Sequence, residues 1–406
     1  MTEQPMKITG IIAEYNPFHN GHQWQILEAR RRGATHVVAV MGGDFLQRGA
    51  PALMDKRLRA AAALAGGADL VLELPLPYAC ATAQRFAFGG VSLLGALGCV
   101  DALSFGSECG DLDALSAAAA ALEDPGLAGA LAPFLDKGMT FAAARQQAVA
   151  RLAGPEVGAL LEHPNNTLAV EYLCQLARLG GAMVPETVRR RGADHHQAAP
   201  GEGRLASATS LRTLAQRGDW QGLSPYMPGD SHRLLARAAS EGLQADPVRM
   251  ELPLLGRLRA MTPEDFSRLP DLSEGLENRI YDAVRTETTV EGILQKAKTK
   301  RYTLARIRRI LLAAWLGLEE GMNSQPPPYL RVLALNRRGT QVLARAKTTA
   351  VLPLSHSLAQ LQQSGDHAGW LAPLEARSVD LFHLLTPKVQ PCGLDYTAGV
   401  VRTEYN

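Results

Sequence analysis

Two histidines near the start of the chain, His19 and His22, have the spacing needed to act together on a phosphate. They flank Gly21 directly after an apolar run and a turn that contains Pro17. We expect a helix to begin at Gly21, so that unpaired backbone N–H groups and the positive end of the helix dipole favour an anion there. Each imidazole can then donate a hydrogen bond to an α-phosphate as it becomes five-coordinate, which makes His19 and His22 the predicted catalytic residues.

The alternative is that both histidines are ordinary surface residues beside a turn. The order of strand, proline turn, H-x-G-H and helix start disfavours it, because these features together build a phosphate site.

Alternating strand-like and helix-like segments surround this motif and predict the fold. Strands are expected at residues 8–13, 35–40, 68–74 and 102–105, and helices at residues 21–32, 54–65 and 83–97. This alternation predicts an α/β fold, a Rossmann-like doubly wound sheet covered by helices. In such sheets ligands bind at the carboxyl ends of the strands, where the H-x-G-H motif also falls.

The remainder of the chain predicts a second region. Residues 111–161 read as a helical insertion, followed by a break at residues 163–166, a helix at 167–179 with Asn as its cap, and a strand at 183–189. A polar stretch at 192–205 leads to a helix at 207–217. We therefore predict a nucleotidyltransferase domain over residues 1–218 and a mainly helical region over 219–406, with one strand at 329–334.

Composition narrows the class of protein. A length of 406 residues predicts two or three domains. The 42 basic and 40 acidic residues give no whole-chain reason to expect nucleic acid, although a balanced total can hide a basic face. DNA is not expected as a partner. The five cysteines lack the spacing of a zinc site or a disulfide framework, so no metal site is predicted. The first seven residues lack the apolar core of a signal peptide, and no apolar run reaches membrane-spanning length. We expect a cytoplasmic protein with no membrane partner.

Several longer motifs occur in a fixed order. They are E-Y-N-P-F-H-N-G-H at residues 14–22, V-M-G-G-D-F-L-Q-R-G at 40–49, F-G-S-E at 105–108, P-N-N at 164–166, R-R at 189–190 and S-A-T-S-L-R at 207–212. The set resembles the HIGH-motif nucleotidyltransferases and, more narrowly, the bacterial tRNA(Met) cytidine acetate ligase family.

That resemblance implies an activity and its substrates. The family uses ATP, with magnesium expected, to activate acetate as acetyl-adenylate, and transfers the acetyl group to the wobble cytidine of elongator tRNA(Met). The implied ATP contacts are Ile12, Ala13, Glu14, Tyr15, Asn16, Pro17, Phe18, His19, Asn20, Gly21, His22, Gln23, Trp24, Gln25, Gly106, Asn165 and Arg190.

Each of the three distant ATP contacts has a physical rationale and a simpler alternative. Gly106 lets adenosine approach the backbone or is an ordinary turn glycine. Asn165 offers a donor and an acceptor to a base or ribose, or caps a helix. Arg190 is a permanent cation for phosphate, or part of a solvated basic run.

The segment containing Ser207, Thr209 and Arg212 resembles a second phosphate-binding motif at a helix start, where it would meet the β- and γ-phosphates. Its alternative is a plain capping turn. The turn at residues 42–44 follows the second strand and is predicted, more loosely, to border the acetate.

A basic stretch at residues 296–309 is the main candidate for RNA. Read as one helix, it places Lys298, Lys300, Arg301 and Arg306 along a cationic face interrupted by Tyr302. The alternative is a solvated basic helix. Arg189, Arg190, Arg191, His195 and His196 are predicted to extend this surface toward the active site.

Three functions are consistent with these patterns. The first is the RNA-acetylating ligase, and the second is a small-molecule adenylyltransferase or carboxylate-amine ligase, such as a pantothenate synthetase, which would not need the basic stretch. The third is a non-catalytic RNA-binding protein that kept a nucleotide pocket, which intact His19 and His22 disfavour.

Overall fold

The structure is a computed structural model that describes residues 5–181, 183–190, 206–273 and 275–403. Its strands are β1 (Ile8–Ala13), β2 (His36–Gly42), β3 (Phe45–Leu46), β4 (Ala50–Pro51), β5 (Leu70–Leu74), β6 (Ala102–Ser107), β7 (Val184–Arg189), β8 (Leu330–Leu335), β9 (Leu354–Ser355) and β10 (Val401–Arg402).

The helices of the first half are α1 (Asn20–Arg31), α2 (Lys56–Ala65), α3 (Leu76–Ala79), α4 (Ala83–Ala96), α5 (Leu112–Leu122), α6 (Leu127–Asp136), α7 (Phe141–Ala153), α8 (Pro155–Ala159), α9 (Pro164–Arg178) and α10 (Ala208–Gln216). Those of the second half are α11 (Trp220–Leu223), α12 (Gly229–Ser240), α13 (Glu251–Ala260), α14 (Pro263–Ser267), α15 (Leu276–Thr286), α16 (Val290–Ala297), α17 (Leu304–Leu316), α18 (Arg337–Thr349), α19 (Leu358–Gln362), α20 (Asp366–His383) and α21 (Leu394–Thr397).

One twisted sheet organises the molecule, with strand order β10-β8-β5-β2-β1-β6-β7. Strands β5, β2, β1, β6 and β7 are mutually parallel, so their carboxyl ends meet at one edge. Strand β1 is central and almost wholly buried, because its apolar side chains are covered by helices on both faces. The predicted α/β doubly wound fold is confirmed.

The sheet extends beyond residue 218, where the sequence predicts the first domain to end. Strand β8 pairs antiparallel with β5, and both β9 and β10 pair parallel with β8, so the last quarter of the chain contributes three strands to the same sheet. Strand β8 is buried against the first half through Leu330, Val332 and Leu335. A simple division into a sheet domain and a helical region therefore does not describe the sheet.

The predicted helical insertion at residues 111–161 forms helices α5 to α8. Leu115, Ala118 and Val149 belong to the same apolar cluster as Leu173 of α9 and Phe105 of β6. Residues 111–161 thus pack on the sheet through α9.

Helix α9 begins at Pro164, three residues earlier than predicted, and its N-cap is His163 rather than an Asn. The prediction of an Asn cap is wrong because Asn166 lies inside the first turn, where its side-chain oxygen accepts backbone N–H groups from Glu108 and Cys109.

Candidate active site

The joint between β1 and α1 holds both predicted catalytic histidines. His19 is the N-cap of α1, and its Nδ1 accepts the Gly21 N–H at 3.0 Å. His22 lies one turn further, and its Nδ1 accepts the His19 backbone N–H at 3.3 Å. The two rings stack with their centroids 3.7 Å apart and their planes 17° apart. The helix start therefore fixes the orientation of both imidazoles.

The protonation of the two histidines follows from these hydrogen bonds and from burial. Burial, followed by the charges of Arg190 and Arg212, lowers the pKa of His19 to about 3. Burial also lowers the pKa of His22 well below its ordinary value, with the His19 charge contributing next. Both imidazoles are neutral near pH 7, and because each Nδ1 accepts a hydrogen bond, the proton of each ring lies on Nε2. Each ring is thus a neutral Nε2–H donor.

The turn before α1 supports these rings from below. Tyr15 is buried with a φ of 48°, a left-handed backbone conformation that is costly for an aromatic residue. Its ring meets the rings of Phe18 and His22 edge to face, each at 4.9 Å between centroids. Tyr15 and Phe18 therefore act as packing beneath the site, and strain is localised at the turn that presents the histidines.

Residues 12–25 divide between the core and the site. Ile12 belongs to the buried core, Asn20 Nδ2 donates to the Pro225 carbonyl at 2.9 Å, and Gln25 Nε2 donates to the Ser104 carbonyl at 3.0 Å. These three side chains have structural partners. Ala13, Glu14, Gln23 and Trp24 are half-buried, as are Asn20, His22 and Gln25.

Arg212 lies beside the histidine turn at the start of α10. Its guanidinium donates to the Asn16 carbonyl at 3.0 Å and to Thr209 Oγ1 at 2.9 Å. Ser207 caps α10 by accepting the Ser210 N–H at 3.2 Å. Burial, and then the charge of Arg48, lowers the pKa of Arg212 to about 10, so it remains a cation near pH 7. The S-A-T-S-L-R segment is a capping turn and also brings a cation to the site.

The opposite side of the site is built from the ends of β6 and β7. A Cβ on Gly106 would lie 3.3 Å from Arg190 Cγ, so the glycine leaves room for the arginine side chain. Glu108 accepts the Asn165 side-chain N–H at 2.6 Å and the Asn166 backbone N–H at 2.7 Å. Glu108 therefore fixes the start of α9, and with it Asn165, against the carboxyl end of β6.

Arg59 connects the loops from beneath. It is fully buried, and its guanidinium donates to the carbonyl oxygens of Glu14 at 2.6 Å, Gly42 at 3.1 Å and Gly43. One cation thus satisfies carbonyls from the loops after β1 and β2, which would otherwise be buried without partners.

The turn at residues 42–44 directs its carboxylate inward. Asp44 is buried and accepts the Lys56 N–H at 2.5 Å, at the start of α2. Burial raises the pKa of Asp44 to about 7. Its observed contact is a structural one, and a border with acetate stays a prediction.

The basic stretch is not one helix. Helix α16 ends at Ala297 and α17 begins at Leu304 after the Thr303 N-cap, so residues 298–303 form a connection between the two. Lys298, Lys300 and Arg301 are exposed there. The single-helix prediction is wrong because Thr303 caps a new helix by accepting the Arg306 N–H.

Arg306 is half-buried, whereas the other three predicted RNA-binding residues are exposed. It donates to the Asp271 carbonyl at 2.8 Å and to Ser273 Oγ at 2.9 Å, and it lies 3.4 Å from the Asp271 carboxylate. Its guanidinium also covers the Tyr302 ring, 5.4 Å from the centroid. This arginine is engaged within the protein, so it suits RNA less well. His195 and His196, together with Arg191, lie outside the described residues.

Comparison with known proteins identifies the family. A family model described as HIGH Nucleotidyl Transferase matches residues 6–394. A protein from Caldanaerobacter subterraneus subsp. tengcongensis named tRNA(Met) cytidine acetate ligase is 40% identical over 364 residues, which are 87% of this chain and 90% of that protein. The chain belongs to the tRNA(Met) cytidine acetate ligase family.

Other members of this ligase family are similar to this chain over nearly its whole length. A protein of the same name from Thermoanaerobacter sp. (strain X514) is 36% identical over 406 residues, covering 98% of this chain and 100% of that protein. The crystal structure of Thermotoga maritima TmcAL bound with alpha-thio ATP matches with a TM-score of 0.90 at 32% identity, covering 98% of this chain and 100% of that one. The resemblance that the sequence motifs indicated is confirmed.

The sequence motifs do not predict the structural roles of Arg48, Glu108 and Arg59. Arg48 and Glu108 lie inside the motifs at residues 40–49 and 105–108, but their residue types alone indicate no function. Arg59 stands in the alanine-rich α2. The only signal for it was a cation at a helical position otherwise filled by small apolar residues.

Among the residues that the structure describes, no helix is both long and apolar enough to cross a membrane.

Proposed function

We propose that this chain is an ATP-dependent ligase that activates acetate as acetyl-adenylate and transfers the acetyl group to the wobble cytidine of elongator tRNA(Met), forming acetylcytidine. The names of its relatives support the substrates and the reaction. The observation that carries the proposal is the pair of neutral Nε2–H donors, His19 and His22, fixed at the start of α1 beside Arg190 and Arg212.

In the first step an acetate oxygen attacks the α-phosphorus of ATP. A new P–O bond forms, while the bond to the bridging oxygen breaks and its electron pair leaves with pyrophosphate. Negative charge grows on the equatorial oxygens in the transition state, and donors aimed at that charge lower the barrier. His19 and His22 supply such donors without a change of protonation, because both are neutral before and after the step.

Arg212 and the start of α10 are proposed to bind the phosphates of ATP. Arg212 is held by the Asn16 carbonyl and Thr209, so its charge is positioned before ATP arrives. The start of α10, capped by Ser207, adds backbone N–H groups to the same region.

Adenosine is proposed to bind on the side of β6 and β7. Gly106 allows close approach to the strand end, and Asn165 is held there by Glu108. The Arg190 side chain passes close to Gly106, and its charge also lowers the pKa of His19, after burial. Residues 12–25 contribute mainly through the backbone of the turn and of the first turn of α1.

Magnesium is proposed to enter as the counter-ion of ATP. Within the described ranges of the chain, no group of three or more His, Cys, Asp or Glu side chains could hold a metal ion. The phosphates and water would then provide its oxygen ligands, which is common for this ion.

In the second step the exocyclic amine of cytidine attacks the acetyl carbon of the adenylate. The new C–N bond forms as AMP leaves with the electron pair of the acyl C–O bond, and the amine loses a proton. Bases of single-stranded RNA can be displayed for such a reaction. The exposed cations Lys298, Lys300 and Arg301 are proposed to contact the tRNA backbone. A tRNA substrate also supports the cytoplasmic location that the sequence predicts.

A labelling experiment tests this function. Protein, ATP and isotopically labelled acetate are incubated with elongator tRNA(Met), and the nucleosides are analysed by mass spectrometry. We expect labelled acetylcytidine, and no label when the wobble cytidine is replaced by uridine or when His19 and His22 are both replaced by Ala. If acetate supports ATP–pyrophosphate exchange but no label appears in the tRNA, the result would instead favour a small-molecule ligase.

A further inference from the structure

Arg48 occupies the tip of a short hairpin that projects over the site. Strands β3 and β4 pair antiparallel, with Phe45 opposite Pro51 and Leu46 opposite Ala50. The side chain of Arg48 is exposed and donates to Thr209 Oγ1 at 3.3 Å. The hairpin thus carries a cation from the end of β2 to the start of α10.

The hairpin is fixed on three sides. Gly49 has a φ of +74°, and a Cβ there would lie 2.7 Å from the backbone of α17 at Arg308. Phe45 packs edge to face on Trp315, with 5.7 Å between centroids. The Gln47 N–H donates to Glu14 Oε1 at 3.1 Å. The position of the Arg48 backbone is therefore set before any ligand binds.

Two cations share a single neutral acceptor at this point. Thr209 Oγ1 accepts from Arg212 at 2.9 Å as well as from Arg48. Burial lowers the pKa of Arg212 and of Arg190, and the charge of Arg48 lowers both further, so Arg48 repels each of the other two guanidinium groups. Glu14, whose charge favours the Arg212 cation, is engaged by Gln47. Such an arrangement is stabilised by an anion of high charge.

Arg48 lies further out than Arg212. Arg212 is half-buried and donates to the Asn16 carbonyl at 3.0 Å, in the turn that presents the histidines, whereas Arg48 is exposed and reaches the Thr209 hydroxyl from the hairpin. If the α-phosphate meets the histidines, a triphosphate that continues toward Thr209 reaches Arg48 with its outer phosphates.

We propose that Arg48 binds the β- and γ-phosphates of ATP and holds them as pyrophosphate leaves. This role rests on the proposed function. When the bond between the α-phosphorus and the bridging oxygen breaks, the electron pair and its negative charge stay on pyrophosphate. A cation on a rigid hairpin stabilises that charge without reorganisation. AMP, which lacks the outer phosphates, does not reach Arg48.

Binding measurements with two nucleotides test this assignment. Calorimetry gives the Kd for a non-hydrolysable ATP analogue and for AMP with the wild type, Arg48→Ala and Arg48→Lys. We expect Arg48→Ala to weaken the analogue by about tenfold, the loss of one charge-assisted hydrogen bond, while AMP binding changes less than about twofold. Arg48→Lys should recover part of the loss, because it keeps a charge and loses the planar fork.

A control variant and product inhibition complete the test. Arg217→Ala removes an exposed arginine at the other end of α10 and should leave both nucleotides unaffected. Inhibition by pyrophosphate should weaken in Arg48→Ala only. Equal losses for the ATP analogue and AMP, or no loss for either in a folded variant, would overturn the assignment. These binding assays need no acetate, so a wild type without acetate-dependent exchange would refute the proposed function and leave this result standing.

Discussion

His22 accepts the backbone N–H of His19 at 3.3 Å while their rings stack at 3.7 Å, so each histidine orients the other. The pairing makes the H-x-G-H spacing a geometric requirement. A residue inserted between them would separate the rings, and the His19 backbone N–H would lose its hydrogen bond to His22.

Replacing either histidine tests its role as a donor. We expect His19→Ala and His22→Ala each to lower adenylate formation by about a hundredfold or more, the usual scale for losing one donor to a transition state. Acetate-dependent ATP–pyrophosphate exchange measures this rate. Circular dichroism checks that the variants fold, because His19 also caps α1. Near-normal exchange in both variants would exclude a catalytic role.

The lowered histidine pKa values predict the pH dependence of the same step. A histidine is neutral above its pKa, and the pKa of His19 is lowered to about 3 with that of His22 also well below its ordinary value. Both rings therefore stay neutral as the pH falls from about 8 to about 6, across the ordinary pKa of histidine. We expect kcat/KM for ATP to show no ionisation of these rings in that range. An acid-side loss near pH 6.5 that vanishes in His22→Asn would contradict this expectation.

Glu108→Gln tests the hydrogen bonds by which Glu108, at the end of β6, fixes the start of α9. The carboxylate accepts three N–H groups, from Asn165 twice and from Asn166 once, and an amide cannot accept all of them. Because Asn165 lies on the proposed adenosine side, affinities for ATP and AMP should fall together, by about five- to tenfold. Calorimetry with both nucleotides measures this, and Glu123→Gln, which affects an exposed ion pair with Arg178, is the matched control. A loss of affinity for ATP alone would refute the role of Glu108 in positioning Asn165 for adenosine.

Arg59→Met tests the buried support under the loops. The variant would leave carbonyl oxygens of Glu14, Gly42 and Gly43 buried without donors. We expect the free energy of unfolding to fall by about 3 kcal/mol, since each unsatisfied buried group costs about 1–3 kcal/mol and the site relaxes in part. Urea denaturation measures the change, with the exposed Arg32→Met as control. A loss below about 0.5 kcal/mol, the range of ordinary surface changes, would show that the carbonyls find other partners.

The sequence predicts the first strands and the helix start at the two histidines well, because continuous apolar runs form buried parallel strands and the H-x-G-H spacing is local. It does not reveal that β8 pairs with β5, since that pairing joins distant segments through a short apolar strand. The roles of Arg59 and Asp271 cannot be predicted from the sequence for the same reason. Each acts on partners far along the chain, so neither the loop support nor the neutralisation of Arg306 can be inferred from local patterns.

The basic connection between α16 and α17 gives the last prediction. Lys298, Lys300 and Arg301 are exposed, and if they bind tRNA phosphates, replacing all three with Ala removes up to three contacts. Each contact contributes roughly 0.7–0.9 to the slope of log Kd against log salt concentration. We expect tRNA binding to weaken and its salt slope to fall by about two units. The Kd for ATP should stay unchanged, because the proposed nucleotide site is at the carboxyl edge of the sheet.

Arg306→Ala is the matched comparison for that triple variant. Its guanidinium is engaged by Asp271 and Ser273, so its removal should lower stability and leave the salt slope of tRNA binding nearly unchanged. Filter binding at several salt concentrations measures both variants. A folded triple variant with the wild-type slope would exclude this connection as an RNA contact, and a loss of slope in Arg306→Ala would place RNA on the α17 face beside Tyr302 instead.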